Sequence, residues 1–300
     1  MTVGFVGVGA MGLPMARKVL AQASVVVYDP SAERVAVLAS EGAAVAGSPR
    51  EVAESAEIVV LMVATPDQLE SALFGEQGVS SGLHEGSAVV IMSSVGVDAV
   101  RGIEERLTGR RVTLVDAPVT GGVARAVTGE LTILAGGSAE ALAAVQPVLE
   151  LMSRKVAHCG PRVGDGQAVK LVNQLLCSVH LAAAAEALSF AEAIGLDPEV
   201  VLHTIEGGGA ASFMLSDRGP RMLSAHEPPV LSAIDIFVKD SSLVVEAARA
   251  ASTTVPLVEC AGRQFAAARE RGWGRRDDSK VIDVYGVRTD FRPNQHTAEK

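Results

Sequence analysis

The run Gly7-Val8-Gly9-Ala10-Met11-Gly12 constrains this chain more than any other feature. It follows the strand-like residues 3–8 and opens a helix-like stretch, and a second strand-like run, 25–28, ends just before Asp29. Gly7 permits a tight turn, Gly9 lets the backbone approach a pyrophosphate, and Gly12 allows close packing of helix on strand. The amides at the start of the helix then point at the phosphates. Asp29 lies 17 residues after Gly12, where a carboxylate accepts hydrogen bonds from the adenosine ribose and repels a 2′-phosphate. Pro30, Ser31 and Ala32 bring no cation, and Arg34 is the nearest one, so NAD is expected as cofactor ahead of NADP. Ala10 and Met11 in the turn, and Val63 at the end of a later strand, are expected to contact the same cofactor. Asp29 is equally compatible with capping the segment that follows it.

Further short apolar runs at 58–63, 88–92 and 112–115 alternate with helix-like segments. Ser48-Pro49-Arg50-Glu51 and Thr65-Pro66-Asp67-Gln68 each combine a capping hydroxyl, a proline at the first helical position and Glu or Gln at the third. This repetition predicts an α/β fold, an N-terminal Rossmann domain with a doubly wound parallel sheet. Residues 130–135 and a helix opened by Ser138 complete that domain near residue 162. Aromatic residues make up only 3% of a chain that is 48% hydrophobic, so the core is built of Ala, Val, Leu and Ile, which suits buried parallel strands. From 163 to 287 the pattern is all-helical: 167–194, a helix opened by Asp197-Pro198, then 241–251 and 256–271. The first of these is apolar nearly all round, as expected of a long helix buried between domains or subunits. Residues 288–300 are polar and aperiodic and are expected to form a mobile tail.

A net charge of −9 argues against a nucleic-acid partner, which needs a basic face. The N-terminus carries no leader-like segment, and the most hydrophobic stretch, 175–194, contains His180, Glu186 and Glu192, which reads as too polar for a membrane span. A cytoplasmic protein is expected. Cys159, Cys177 and Cys260 are widely spaced without a ligand pattern, so they read as reduced structural thiols, and no metal site is expected.

Three stretches carry candidate chemistry. Asp116-Ala117-Pro118-Val119-Thr120-Gly121-Gly122 follows a strand, placing Thr120 and the exposed amides of two glycines at the sheet's carboxyl edge; a plain turn explains the same residues. Gly164-Asp165-Gly166-Gln167-Ala168-Val169-Lys170-Leu171-Val172-Asn173-Gln174 opens the long helix, with Lys170, Asn173 and Gln174 on one face. A lysine and two carboxamides on an apolar helix need polar partners, unless the lysine reaches to solvent. Phe237-Val238-Lys239-Asp240 places a lysine beside a carboxylate, which by itself is an ordinary charge pair. His158 and Cys159 are expected to end a strand, and Gly207-Gly208-Gly209 to end a helix.

In this order and spacing, GVGAMG, DAPVTGG, GDGQAVKLVNQ and FVKD resemble the β-hydroxyacid dehydrogenases, a family that includes 3-hydroxyisobutyrate dehydrogenase and tartronate semialdehyde reductase. The resemblance spans residues 2–287. Gln174-Leu175-Leu176, Ser212-Phe213-Met214 and Asp277-Asp278-Ser279 are similar to the branch acting on L-threonate. Departures are Thr120 where the family usually has Ser, Gln174 where most members have Asn, and Asn173-Gln174 where that branch has His-Gln. The family implies Lys170 as the catalytic lysine, with Thr120, Gly121 and Gly122 on the substrate carboxylate and Asn173 or Gln174 on its other oxygens. It also implies Ser94 at the nicotinamide ribose and Lys239 beside both nicotinamide and substrate. Homodimers or homotetramers acting on a small hydroxy acid are implied as well. To serve as base near neutral pH, such a lysine must be brought down from about 10.4 to about 8, by burial and neighbouring positive charge. 3-Hydroxyisobutyrate and the tartronate or succinate semialdehydes stay open as substrates, and a silent NAD-binding module is the non-enzymatic alternative.

Overall fold

The computed structural model describes residues 1–286. The expected tail at 288–300 lies outside them. Two compact units divide the chain, Met1–Leu171 and Val172 onward.

In the first unit, β1 (Thr2–Val6), β2 (Ser24–Tyr28), β3 (Ala44–Val45), β4 (Ile58–Leu61), β5 (Ala88–Ile91), β6 (Thr113–Asp116), β7 (Val119–Thr120), β8 (Leu131–Gly136) and β9 (Ser153–Gly160) form one sheet. Its order is β3-β2-β1-β4-β5-β6-β8-β7, with β9 paired to β8. The first six strands are parallel, as expected for a Rossmann domain, whereas β8 runs antiparallel to β6 and β7. Alternation along each strand decides which side a residue covers. Val3, Phe5, Val25, Val27, Ile58, Val60 and Val90 pack into one core, and Val26, Val59, Leu61, Val89 and Ile91 into a second on the opposite face.

Both helix starts flagged in the sequence are built as expected. Ser48 Oγ accepts from the Glu51 amide at 3.2 Å, and Thr65 Oγ1 from the Gln68 amide at 3.2 Å. The returning carboxylate and carboxamide reach one residue further back than a capping box requires, to the amides of Gly47 and Ala64. Sequence periodicity overlooks β3 and β7, whereas β9 carries the strand expected to end at His158 and Cys159. β3 and β7 have only two residues each, too few for length or alternation to mark them.

In the second unit the helices are Pro198–Ile205, Phe213–Leu223, Ile234–Ala250 and Pro256–Glu270, followed by a 3-10 turn at Asp278–Val284. Three corrections arise here. The helix carrying Lys239 begins at Ile234 rather than at residue 241, so Phe237-Val238-Lys239-Asp240 is helical. Phe213–Leu223 was not expected as a helix, because Gly219-Pro220 reads as a break; Ser212 starts it by accepting from the Leu215 amide at 3.0 Å. The long helix spans Asp165–Ala193, and by length and composition it is apolar enough to cross a membrane, contrary to the expectation. Leu181, Ala184, Ala185 and Leu188 on this helix belong to the second unit's core, packed with Phe237 and Phe265. Val172, Leu176 and Phe190 are exposed in the single chain.

Asp277-Asp278-Ser279 forms a buried clasp in this unit. Asp277 accepts from Arg221 at 2.7 Å, from the Leu231 amide and from Ser279, while Asp278 accepts from Arg218 at 3.1 Å. Burial pushes the Asp278 carboxyl up, and the two arginines oppose that. The arginines here are thus matched by carboxylates rather than gathered into a phosphate clamp.

Candidate active site

The glycine turn sits at the carboxyl end of β1. Gly7 has φ +94°, a conformation costly to any residue with a Cβ. The turn is fastened to β2 by Asp29, whose carboxylate accepts from the Val8 amide at 2.9 Å and the Ser31 amide at 2.9 Å. Asp29 thus follows β2 beside the turn and also braces the chain entering the helix Ala32–Ser40, whose first flanking residue is Ser31. The helix Gly12–Leu20 has no side-chain cap and no acidic residue in its first turn, so its leading amides suit a phosphate. A Cβ on Gly9 would meet only the Arg34 guanidinium, at 3.7 Å, which leaves that side of the turn open to a ligand. These features fit a nicotinamide dinucleotide. Arg34 also stands 3.6 Å from Asp29, so the carboxylate favouring NAD is partly neutralised and NADP is not excluded.

Val63 follows β4, and its amide donates to Ser93 Oγ at 2.8 Å. Ser93 precedes Ser94, expected at the nicotinamide ribose, in the segment after β5. Thr120 ends β7, opposite Thr132, and Gly121 and Gly122 follow it with positive φ before the helix Gly122–Thr128.

Lys170 is 9% exposed, so the solvent-reaching alternative does not hold. Its Nζ donates to the carbonyl oxygen of Val119 at 2.8 Å, which fixes the amino group at the residue before Thr120. The turn of helix before Lys170 is anchored by Asp116 at the end of β6. The Asp116 carboxylate is fully buried and accepts from the amides of Gly164 and Gln167, each at 2.7 Å. Gln167 is 1% exposed, and its side chain bonds the backbone of residues 93, 95 and 96. Neither residue was singled out in the sequence. A glutamine three residues before a lysine on an apolar helix is the only signal that was available for it.

Burial raises the Asp116 carboxyl from 3.8 to about 6, against the opposing amide hydrogen bonds. A carboxyl that binds its proton more tightly folded than unfolded favours the fold most below pH 4. That contribution, about 3 kcal/mol, is lost as pH rises through 6. The Tm of the wild type relative to Asp116→Asn is therefore expected to fall by roughly 6–9 °C between pH 4 and 7. Parallel Tm curves for the two proteins would remove Asp116 as the titrating group.

In the second unit, Asn173 Nδ2 donates to Gln174 Oε1 at 2.7 Å, and Gln174 Nε2 donates to Asp240 Oδ2. Asp240 is buried and also pairs with Lys239 at 3.0 Å. The three polar residues implied for substrate on this side, Asn173, Gln174 and Lys239, are thus joined through Asp240. Among the described residues no group of three or more His, Cys, Asp or Glu side chains is arranged to hold a metal ion. His158, at the end of β9, bonds the Gly137 carbonyl at 2.8 Å.

Comparison with known proteins agrees with this geometry. Residues 2–160 match the NAD-binding domain of 6-phosphogluconate dehydrogenase. Residues 164–285 match the NAD-binding domain of NADP-dependent 3-hydroxyisobutyrate dehydrogenase. The chain is 36% identical over 284 residues to an L-threonate dehydrogenase of Cupriavidus necator, covering 94% of this chain and 95% of that protein. It is 32% identical over 284 residues to 2-(hydroxymethyl)glutarate dehydrogenase of Eubacterium barkeri, with 94% of each covered. The crystal structure of a 3-hydroxyisobutyrate dehydrogenase from Salmonella typhimurium superposes with a TM-score of 0.87 at 36% identity, covering 95% of this chain and 99% of that one. With the glycine turn, Asp29 and the buried lysine in place, the chain belongs to the β-hydroxyacid dehydrogenases of the 3-hydroxyisobutyrate dehydrogenase type, and it is a nicotinamide-dependent oxidoreductase.

Proposed function

We propose that this enzyme oxidises a hydroxyl group of L-threonate with NAD, and that Lys170 is its general acid and base. The observation that carries the reading is the buried Lys170 amino group, held 2.8 Å from the Val119 carbonyl at the head of Thr120-Gly121-Gly122. A substrate carboxylate seated on the Thr120 hydroxyl and the following amides presents its hydroxyl to that lysine. Bound NAD supplies the hydride acceptor. Lys170 takes the hydroxyl proton during oxidation and returns one to the carbonyl in the reverse direction. Asn173 and Gln174, tied to Asp240, orient further substrate oxygens, and Lys239 adds positive charge beside them.

On this reading residues 1–162 hold the cofactor, and 163–287 provide the substrate and subunit contacts. The exposed apolar positions Val172, Leu176 and Phe190 on the long helix support a homodimer or homotetramer, and a core or interface role for that helix in a cytoplasmic enzyme.

The relatives' names include both L-threonate and 3-hydroxyisobutyrate, so both belong in the test. Formation of NADH or NADPH is to be followed with L-threonate, 3-hydroxyisobutyrate and glycerate, the reduced partner of tartronate semialdehyde, with NAD and NADP in parallel. We expect L-threonate with NAD to give a kcat/KM at least about tenfold above the other pairs, a preference of about 1.4 kcal/mol. Preferential turnover of 3-hydroxyisobutyrate would keep the lysine chemistry and overturn the substrate.

A further inference from the structure

We infer that Gln167 is a positioning residue, which sets the nicotinamide-side segment at residues 93–96 against the helical turn that carries Lys170. The inference rests on the catalytic reading above and adds a residue to it.

A carboxamide is the neutral side chain able to donate and accept at once, and Gln167 uses both functions. Its Nε2 donates to the Ser93 carbonyl at 2.9 Å. Its Oε1 accepts from the Val95 amide at 3.1 Å and the Gly96 amide at 3.3 Å. The backbone partners fix the orientation, since the flipped amide would set its NH2 against two N–H groups. Ser94 lies between the bonded residues and is gripped from both sides.

These contacts extend in two directions. Towards the cofactor, Ser93 Oγ accepts from the Val63 amide at 2.8 Å and donates to the Leu61 carbonyl at 3.3 Å, linking the ends of β4 and β5. Towards the chemistry, the Gln167 amide donates to Asp116 at 2.7 Å, and Lys170, one turn further on, reaches the Val119 carbonyl. Ser93, Asp116 and Gln167 are each 1% exposed or less, so water does not compete for the bonds. The path from Val63 to the helical turn of Lys170 runs through two side chains, those of Ser93 and Gln167. A buried glutamine serving stability alone needs partners, but it does not need them to bracket the one residue assigned to the nicotinamide ribose.

The test compares Gln167→Leu, which keeps bulk and loses all three bonds, with Gln167→Glu, which keeps the acceptor and loses the donor to Ser93. The readouts are Tm, Kd for NADH, the fluorescence enhancement of bound NADH, and kcat with its isotope effect from substrate deuterated at the oxidised carbon. For Gln167→Leu we expect Kd within about threefold of wild type, kcat lowered about 10- to 100-fold, a raised isotope effect and at least half the NADH enhancement lost. Gln167→Glu should move the same readouts in the same direction by less, and it decides the matter if Gln167→Leu does not fold. A folded variant with lowered Tm but wild-type kcat, isotope effect and NADH emission would overturn the inference and leave Gln167 structural. If the wild type turns over no hydroxy acid, the functional reading falls, while NADH emission in the two variants still decides whether Gln167 places the ring.

Discussion

Lys170→Ala is expected to lower kcat by about 10²- to 10⁴-fold while leaving the Kd for NAD within about threefold of wild type, the range that a positioned acid-base group contributes. The split follows from geometry. Lys170 meets the Val119 carbonyl beside the expected carboxylate seat, whereas the glycine turn and Asp29 lie at β1 and β2 and do not depend on it. Lys170→Arg is the sharper control. Arginine keeps a positive charge and a long side chain but is effectively always protonated, so it does not serve as base. If charge alone mattered, Lys170→Arg would retain most activity. Loss in both variants, with NAD still bound by calorimetry, assigns proton transfer to this position. Near-normal turnover in Lys170→Ala would remove the lysine from the mechanism.

The second large effect separates glycines that build the fold from one that serves the ligand. A Cβ on Gly12 would intrude on the Gly7 carbonyl group, 3.0 Å from its carbon, where the first helix leans on the end of β1. A Cβ on Gly7 would lie 2.9 Å from the Met62 carbonyl carbon, and its φ of +94° adds strain. Each contact is with backbone, which has little room to yield, so Gly7→Ala and Gly12→Ala should each cost about 3 kcal/mol or more and lower Tm by roughly 6–12 °C. Gly9→Ala meets only the flexible end of Arg34 at 3.7 Å. It should leave the Tm of the ligand-free protein within about 2 °C of wild type, yet weaken NAD at least tenfold, because the added methyl stands where the pyrophosphate approaches. Equal losses of Tm in all three variants would contradict this division of labour.

Much of this was legible in the chain because it depends on residues close together in sequence. The glycine turn, the capping hydroxyls of Ser48 and Thr65, and the alternation that splits β1, β2 and β4 between two cores are all local patterns. Lys170 as the candidate base came from the family resemblance of its motif, and the structure finds this lysine buried. Elements below the length at which periodicity is readable escaped, as with β3 and β7, and Gly219-Pro220 concealed a helix whose start is set by Ser212. The membrane criterion met by the long helix also shows the limit of composition, since its buried leucines and alanines face a core of residues distant in sequence.

The hydrogen bonds that hold the site were beyond sequence reading for a different reason. Asp116 and Gln167 lie 51 residues apart, and Gln167 and Ser93 lie 74 apart. Which donor meets which acceptor at such separations follows from strand order and the approach of the helix, not from any spacing along the chain. The sequence by itself determined the Rossmann turn and the cofactor class, and its family resemblance pointed to Lys170 as the candidate base. Tertiary structure alone decided where that lysine is anchored, why Asp116 holds its proton to about pH 6, and which side chain joins the cofactor loops to the helix, because burial and dielectric are properties of the packed fold.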